Sequence, residues 1–112
     1  MNDFQLLIYE LVKFRDARQW EQFHNTRDLA LALSIEAAEL NELFLWKAVE
    51  ECENVNRARL REELADVFAY SLLLAGKHGL DVKEIVLEKI RKNNEKYPVD
   101  KSKGTARKYN EL

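Results

Sequence analysis

The chain of 112 residues predicts an all-α fold, a four-helix bundle assembled as an oligomer. Three observations carry that expectation. Glycine and proline are scarce, three and one respectively, which favours long helices over a turn-rich β fold. Apolar residues recur at the helical period in four separate stretches. One of those stretches is apolar on two sides, and such a helix is normally buried on two sides. A bundle this small would leave one side wet, so a second copy is expected to cover it.

The first stretch, roughly 2–18, places Phe4, Leu7, Ile8, Leu11 and Phe14 on one face. A connector from Gln19 to Asn25 leads to Thr26, the expected N-cap of a second helix over 27–48, with Asp28 in the first turn where the helix dipole favours an acid. On that helix Leu29, Leu33, Ala37, Leu40, Leu43 and Phe44 fill one arc. Leu31, Ile35, Ala38 and Trp46 fill the other. A third helix is expected from near Asn56 to Gly79, a natural residue for the left-handed end of a helix. Asp81 and Glu84 resemble a capping box that opens a fourth helix, and Pro98 closes it. Beyond lies the basic tail DKSKGTARKYNEL.

The bulk properties bound the function. One domain is expected at this length. With 46% hydrophobic residues a core is within reach. Eighteen basic and 20 acidic residues nearly cancel, for a formal charge of −2, so nothing in the bulk draws the chain to nucleic acid or an anionic membrane. The lone Cys52 excludes an intrachain disulfide and any multi-cysteine zinc site. The opening MNDFQLLIYE carries acids early and no basic stretch before a long apolar one, so no signal peptide is expected, and no apolar run approaches the ~18–20 residues of a membrane span. A cytoplasmic protein is expected.

The chemistry concentrates in acids. Glu36 falls inside the first apolar arc of helix two, and Glu39 lies about 60° further round, in the gap between arcs. On helix three Glu63, Asp66 and Tyr70 share one stripe beside Leu60, Leu64, Val67 and Leu74. Spacing alone is weak, because 20 acids would yield about three or four such pairs by chance. Position is stronger, since a carboxylate in an apolar setting is usually paired, protonated or metal-bound. Two readings stay open on the residues alone. The acids hold a hard cation, Mg²⁺ or Mn²⁺, or they bridge to Arg57, Arg59 and Arg61 or are solvated. Trp20 and His24 in the connector suit binding or packing, and Trp46 lies on the Glu39 side of its helix. Asn93 sits oddly on the stripe of Val82, Val86 and Tyr97.

The segments RQWEQFHNTRDLALALSIEAAELNELFLWK, REELADVFAYSLLLAGKHGLD and KNNEKYPVDKSKGTARKYNEL together resemble the MazG-like nucleotide pyrophosphohydrolases, in pattern nearest the small dCTP pyrophosphatase-type branch. The central pattern is E-x-x-E, a spacer, then E-x-x-D, here Glu36, Glu39, Glu63 and Asp66. It is joined by W-x-x-F-H, the F-x-W after the first pair, and K-N-x-x-K-Y-P.

The resemblance implies a Mg²⁺-dependent, dimeric or tetrameric all-α enzyme, a tetramer favoured, with its site at a subunit interface. Such an enzyme cleaves a nucleoside triphosphate to the monophosphate and pyrophosphate. By the same match Glu36, Glu39, Glu63 and Asp66 are metal ligands; Trp20, His24 and Trp46 enclose the base, and Tyr70 lines its pocket. Asn93 with Lys89 or Lys92 approaches the sugar and phosphates, and Lys101 and Lys103 serve the phosphates. The enzyme domain would span 1–98, and the tail 99–112 could order over the active site. Two competitors remain: a non-catalytic helical oligomerisation module, and a di-iron carboxylate bundle, which would want two Glu-x-x-His units where the chain offers only Glu21-x-x-His24 in the connector.

Overall fold

The computed structural model describes residues 1–112, and every regular element in it is helical. Helix α1 runs Asp3–Ala17 and is opened by a reciprocal cap. The Asn2 side chain accepts the Gln5 N–H at 2.8 Å, and the Gln5 side chain accepts the Asn2 N–H at 3.0 Å. These bonds satisfy two of the N–H groups that a helix start leaves without partners. A left-handed residue, Gln19 (φ 56°), turns the chain into a 3₁₀ turn at Glu21–Phe23.

Helix α2 spans Thr26–Glu42. Its N-cap is Asn25, not Thr26: the Asn25 carboxamide oxygen accepts the Asp28 N–H at 2.9 Å. The Thr26 hydroxyl instead pairs with His78 Nε2 at 2.9 Å, linking the start of α2 to the end of α4 (Arg57–Lys77). The expected end at residue 48 is also corrected. After Glu42 the backbone bonds shift to i→i+3 spacing, from Leu43 to Leu40 and from Phe44 to Asn41, and the helix tightens and stops. Trp46 follows with φ 62°, a left-handed conformation that bulky residues rarely adopt. The tryptophan expected on the Glu39 side of a helix therefore sits on a turn. A short α3, Val49–Cys52, leads to the Asn56 cap of α4.

The chain forms two compact units, Met1–Gly79 and Leu80–Leu112. In the first, α4 is the central element, packing against both α2 and α1. The core consists of Leu29, Leu43, Leu72, Leu73 and Ala75, contributed by α2, the turn after it, and α4. Close approach of α1 to α4 requires Gly76, where a Cβ atom would lie 2.8 Å from Ile8 Cγ2. Gly79, at φ 63°, ends the unit in the left-handed conformation expected of it.

In the second unit, α5 (Val82–Lys96) is capped by Asp81, whose carboxylate accepts the Glu84 N–H at 2.9 Å. Pro98 then opens the single-turn α6, Val99–Ser102. The last residues are ordered by aromatic contact. Tyr109 meets Tyr97 edge-on at 6.1 Å, and the Lys96 ammonium lies 4.9 Å from the Tyr109 ring centre. No helix is long and apolar enough to cross a membrane.

Leu29 is 2% exposed, so Leu29→Ala opens a cavity that α2 and α4 cannot collapse without moving. The expected loss is about 2–5 kcal/mol in urea unfolding with an unchanged m-value.

Candidate metal centre

The packing of α2 on α4 decides where the acids go. Glu36 and Glu39 leave the same side of α2 one turn apart, and Glu63 leaves the facing side of α4. One carboxylate oxygen from each lies within 4.8 Å of the others. Asp66, one turn beyond Glu63, stands outside that triplet and is more exposed, although its charge still acts on Glu36 and Glu63.

The triplet is electrostatically incomplete. The Oε2 atoms of Glu36 and Glu63 are sealed from solvent and have no hydrogen-bond partner. Burial, and after it the close carboxylate of Glu39 and the charges of Asp66 and Glu63, push the Glu36 carboxyl up to about 7. Burial and the neighbouring acids Glu39 and Asp66 also raise Glu63, and Arg59 offsets only part of that. The arginine bridges left open by the sequence do not form: Arg57, Arg59 and Arg61 take no part in the chain's ion pairs, which lie elsewhere. Orphaned, sealed oxygens from three converging carboxylates are a donor set that fits a hard divalent cation such as Mg²⁺ or Mn²⁺. No histidine joins the group, so the di-iron pattern of paired Glu-x-x-His units is not met.

Beside the acids the first unit holds a cavity of about 240 Å³. Phe14, Trp20, His24 and Tyr70 form its aromatic walls, and Arg15 and Asp66 are its charged members. Trp20 meets Phe14 edge-on at 5.8 Å, and His24 faces Tyr70 at 6.4 Å. Burial, then the Arg15 charge, lower the pKa of His24, so its ring is neutral near pH 7. His24 Nδ1 is sealed without a partner. Burial, then the charges of Glu36, Asp66 and Glu39, raise the pKa of Tyr70, so its hydroxyl keeps the proton and can donate it to a hydrogen bond.

The structure thus gathers Glu36, Glu39 and Glu63 in one place and Trp20, His24, Tyr70 and Asp66 in the adjoining cavity. Trp46 joins neither; it is 94% exposed. Lys89, Lys92, Asn93, Lys101 and Lys103 belong to the second unit. There Lys92 pairs with Glu88 at 3.4 Å, and the half-buried Asn93 accepts the Tyr97 N–H through its carbonyl. Sequence reasoning missed Arg15 as a cavity residue. The signal was its place four residues after Leu11, which puts it on the same helical face.

The chain is thus an all-helical protein with a cluster of carboxylates beside an aromatic cavity, and comparison with known proteins gives it a family. Residues 31–112 match the MazG-like family, and the chain belongs to it. It is similar to dCTP pyrophosphatase 1 of Rattus norvegicus, 43% identical over 105 residues, covering 89% of this chain and 62% of the relative. The Homo sapiens protein of the same name is 42% identical over the same coverage. The chain therefore spans about three fifths of the length of these curated relatives. Among solved structures, a pyrophosphatase from Archaeoglobus fulgidus superposes with a TM-score of 0.82 at 36% identity, over 88% of this chain and 94% of that one.

Because Glu36 titrates near 7 in the folded chain and at an ordinary 4.5 when unfolded, the folded state holds the extra proton between those values. Stability contributed by that proton is complete below about 4.5 and is lost as pH rises through about 7. Metal-free protein is expected to melt at a lower temperature at pH 8 than at pH 5.5, and Glu36→Gln to flatten that slope. Calorimetry in chelator checks this, and a Gln variant with the parent's slope refutes it.

Proposed function

We propose that the chain is a cytoplasmic, Mg²⁺-dependent nucleoside triphosphate pyrophosphohydrolase that converts dCTP, or a modified dCTP, to the monophosphate and pyrophosphate. The observation that carries this is the meeting of Glu36, Glu39 and Glu63 across α2 and α4, next to a cavity walled by aromatic rings. Membership of the MazG-like family supports the reaction class. The relatives called dCTP pyrophosphatase support the substrate.

In this reaction water adds to the α-phosphorus, the α–β bridging P–O bond breaks, and pyrophosphate leaves with added negative charge. Mg²⁺ or Mn²⁺, held by Glu36, Glu39 and Glu63 with Asp66 beside them, would supply positive charge to offset that increase. The protein's own groups do the rest. Glu36 or Glu39 orients the attacking water and takes its proton. Trp20, His24 and Tyr70 enclose the base, and the neutral His24 and protonated Tyr70 add no charge of their own to it. Lys89, Lys92, Asn93, Lys101 and Lys103 are proposed sugar and phosphate contacts on the family pattern.

The active unit is proposed to be a homo-oligomer, a tetramer rather than a dimer. Leu31 and Ile35, the second apolar arc of α2, are 53% and 57% exposed. A further apolar groove of about 430 Å³ lies between α1 and α4, lined by Phe4, Leu7, Phe68 and Leu72. Surfaces of this kind are normally covered. Trp46, exposed at a left-handed backbone position, would then close over a base in a neighbouring copy.

Incubation with dCTP and Mg²⁺ should release pyrophosphate and dCMP, and chelation should stop it. Glu36→Gln or Glu39→Gln should lower kcat by about 10²–10⁴ if its residue handles the proton. Orthophosphate release would argue for a different bond, and no release would leave the helical interaction module as the better reading.

A further inference from the structure

Base stacking in the aromatic cavity tolerates any base, and a cation site sees only phosphate. Base choice at such a site therefore needs a polar side chain that meets the edge of the ring. Beside the polar rings of His24 and Tyr70 the cavity has two charged members, Arg15 and Asp66, and Asp66 is engaged electrostatically with the acid cluster. Arg15 is the one fixed cation.

Its placement is unusually determined for a residue near a helix end. The Arg15 carbonyl accepts both the Arg18 and Trp20 N–H groups at 3.1 Å, so the chain wraps around this residue as α1 ends. The side chain is only 18% exposed. Asp16 Oδ1 holds Nε at 2.9 Å and Nη2 at 2.8 Å, and Glu21 stands 3.9 Å from Nη2. Those contacts use one edge of the guanidinium; Nη1 takes part in none of them. The neighbouring Arg18 is committed elsewhere, stacked on the Phe14 ring at 3.7 Å with Nη1 donating to the Phe14 carbonyl. One arginine braces the aromatic wall from outside, and the other lines the cavity.

We propose that Arg15 reads the base edge of the bound nucleotide, donating to the adjacent O2 and N3 acceptors of cytosine. The proposal rests on the nucleotide reading of this site and adds its selectivity. A guanidinium only donates, in a planar fork that matches two neighbouring acceptors. Cytosine offers such a pair. Uracil and thymine carry a hydrogen on N3, which would point a donor at a donor. The desolvated mismatch disfavours them, whereas stacking alone would treat all three alike. Asp16, which holds Nε and Nη2, restrains the guanidinium before substrate arrives and leaves Nη1 out of its contacts.

The test compares dCTP with dUTP, which share the same ring size. Wild type, Arg15→Ala and Arg15→Lys are each assayed for pyrophosphate release with Mg²⁺, their folding checked by thermal melts. Lysine keeps the charge and the covering stem but not the fork. Both variants should lose about tenfold or more in kcat/KM for dCTP, mostly through KM, while dUTP changes little. The dCTP preference should therefore collapse even in the lysine variant. Equal losses on both nucleotides would make Arg15 a general anchor or a structural residue, and an unchanged ratio would remove it from recognition; either result overturns the proposal while leaving the enzyme intact. A wild type that releases pyrophosphate from no nucleotide overturns the site reading as well.

Discussion

Three carboxylates forced within 4.8 Å of one another are the constraint around which the first unit is organised. Like charges at that separation repel strongly once water is removed, and two of the oxygens are sealed from it. Such an arrangement persists only where packing elsewhere over-determines it. Here the apolar contact of α2 with α4, centred on Leu29, Leu72 and Leu73, holds the helices and leaves the acids no retreat. Glu36 responds by keeping its proton up to about pH 7. A divalent cation would do the same service without the proton, so the cluster that strains the fold is also the proposed seat of its chemistry.

The core that imposes this strain is small. Five apolar side chains are buried, while Phe4, Phe68, Leu31 and Ile35 remain on the surface. Buried apolar area stabilises at about 25 cal/mol per Å², so a chain that leaves so much of it wet forgoes stability that association would recover. The placement of the exposed residues is informative. They lie on α1, α2 and α4, the helices that carry the acids and the cavity walls, so covering them in a homo-oligomer would stiffen the site itself. Trp46 belongs to the same logic. A bulky residue in a left-handed turn, almost wholly in water, gains nothing inside its own chain.

The helical class and the four long helices were legible because periodicity and sparse glycine report directly on backbone preference. The approach of Glu36 and Glu39 to Glu63 was legible because i,i+3 spacing fixes the face of each helix and α2 and α4 are consecutive long helices. Other features were not. The end of α2 at Glu42 has no glycine or proline to announce it; the run NELFLWK reads as continued helix, and only the burial of Leu43 and the i→i+3 bonds show the break. Asn25 and Thr26 are both good caps; Asn25 takes the position, and the threonine hydroxyl pairs with His78, a partner distant in sequence. Asp66 shares the spacing of the other acids but not their meeting point, since spacing fixes a face and not a depth.

The same distinction bears on selectivity. Residues that define a family's chemistry are the ones a pattern preserves, and acids at fixed spacing are easy to see. Recognition of a particular base depends instead on which side chain happens to border the cavity, which tertiary contact decides. Arg15 and Arg18 illustrate it: two arginines three residues apart, one stacked outside Phe14 and one inside with its guanidinium clamped by Asp16. No local signal separates them. The separation arises where α1 ends, since the turn through Gln19 that carries Trp20 and His24 to the cavity also closes over the Arg15 carbonyl. The wall that would stack a base and the cation that would read its edge are thus set by a single chain reversal.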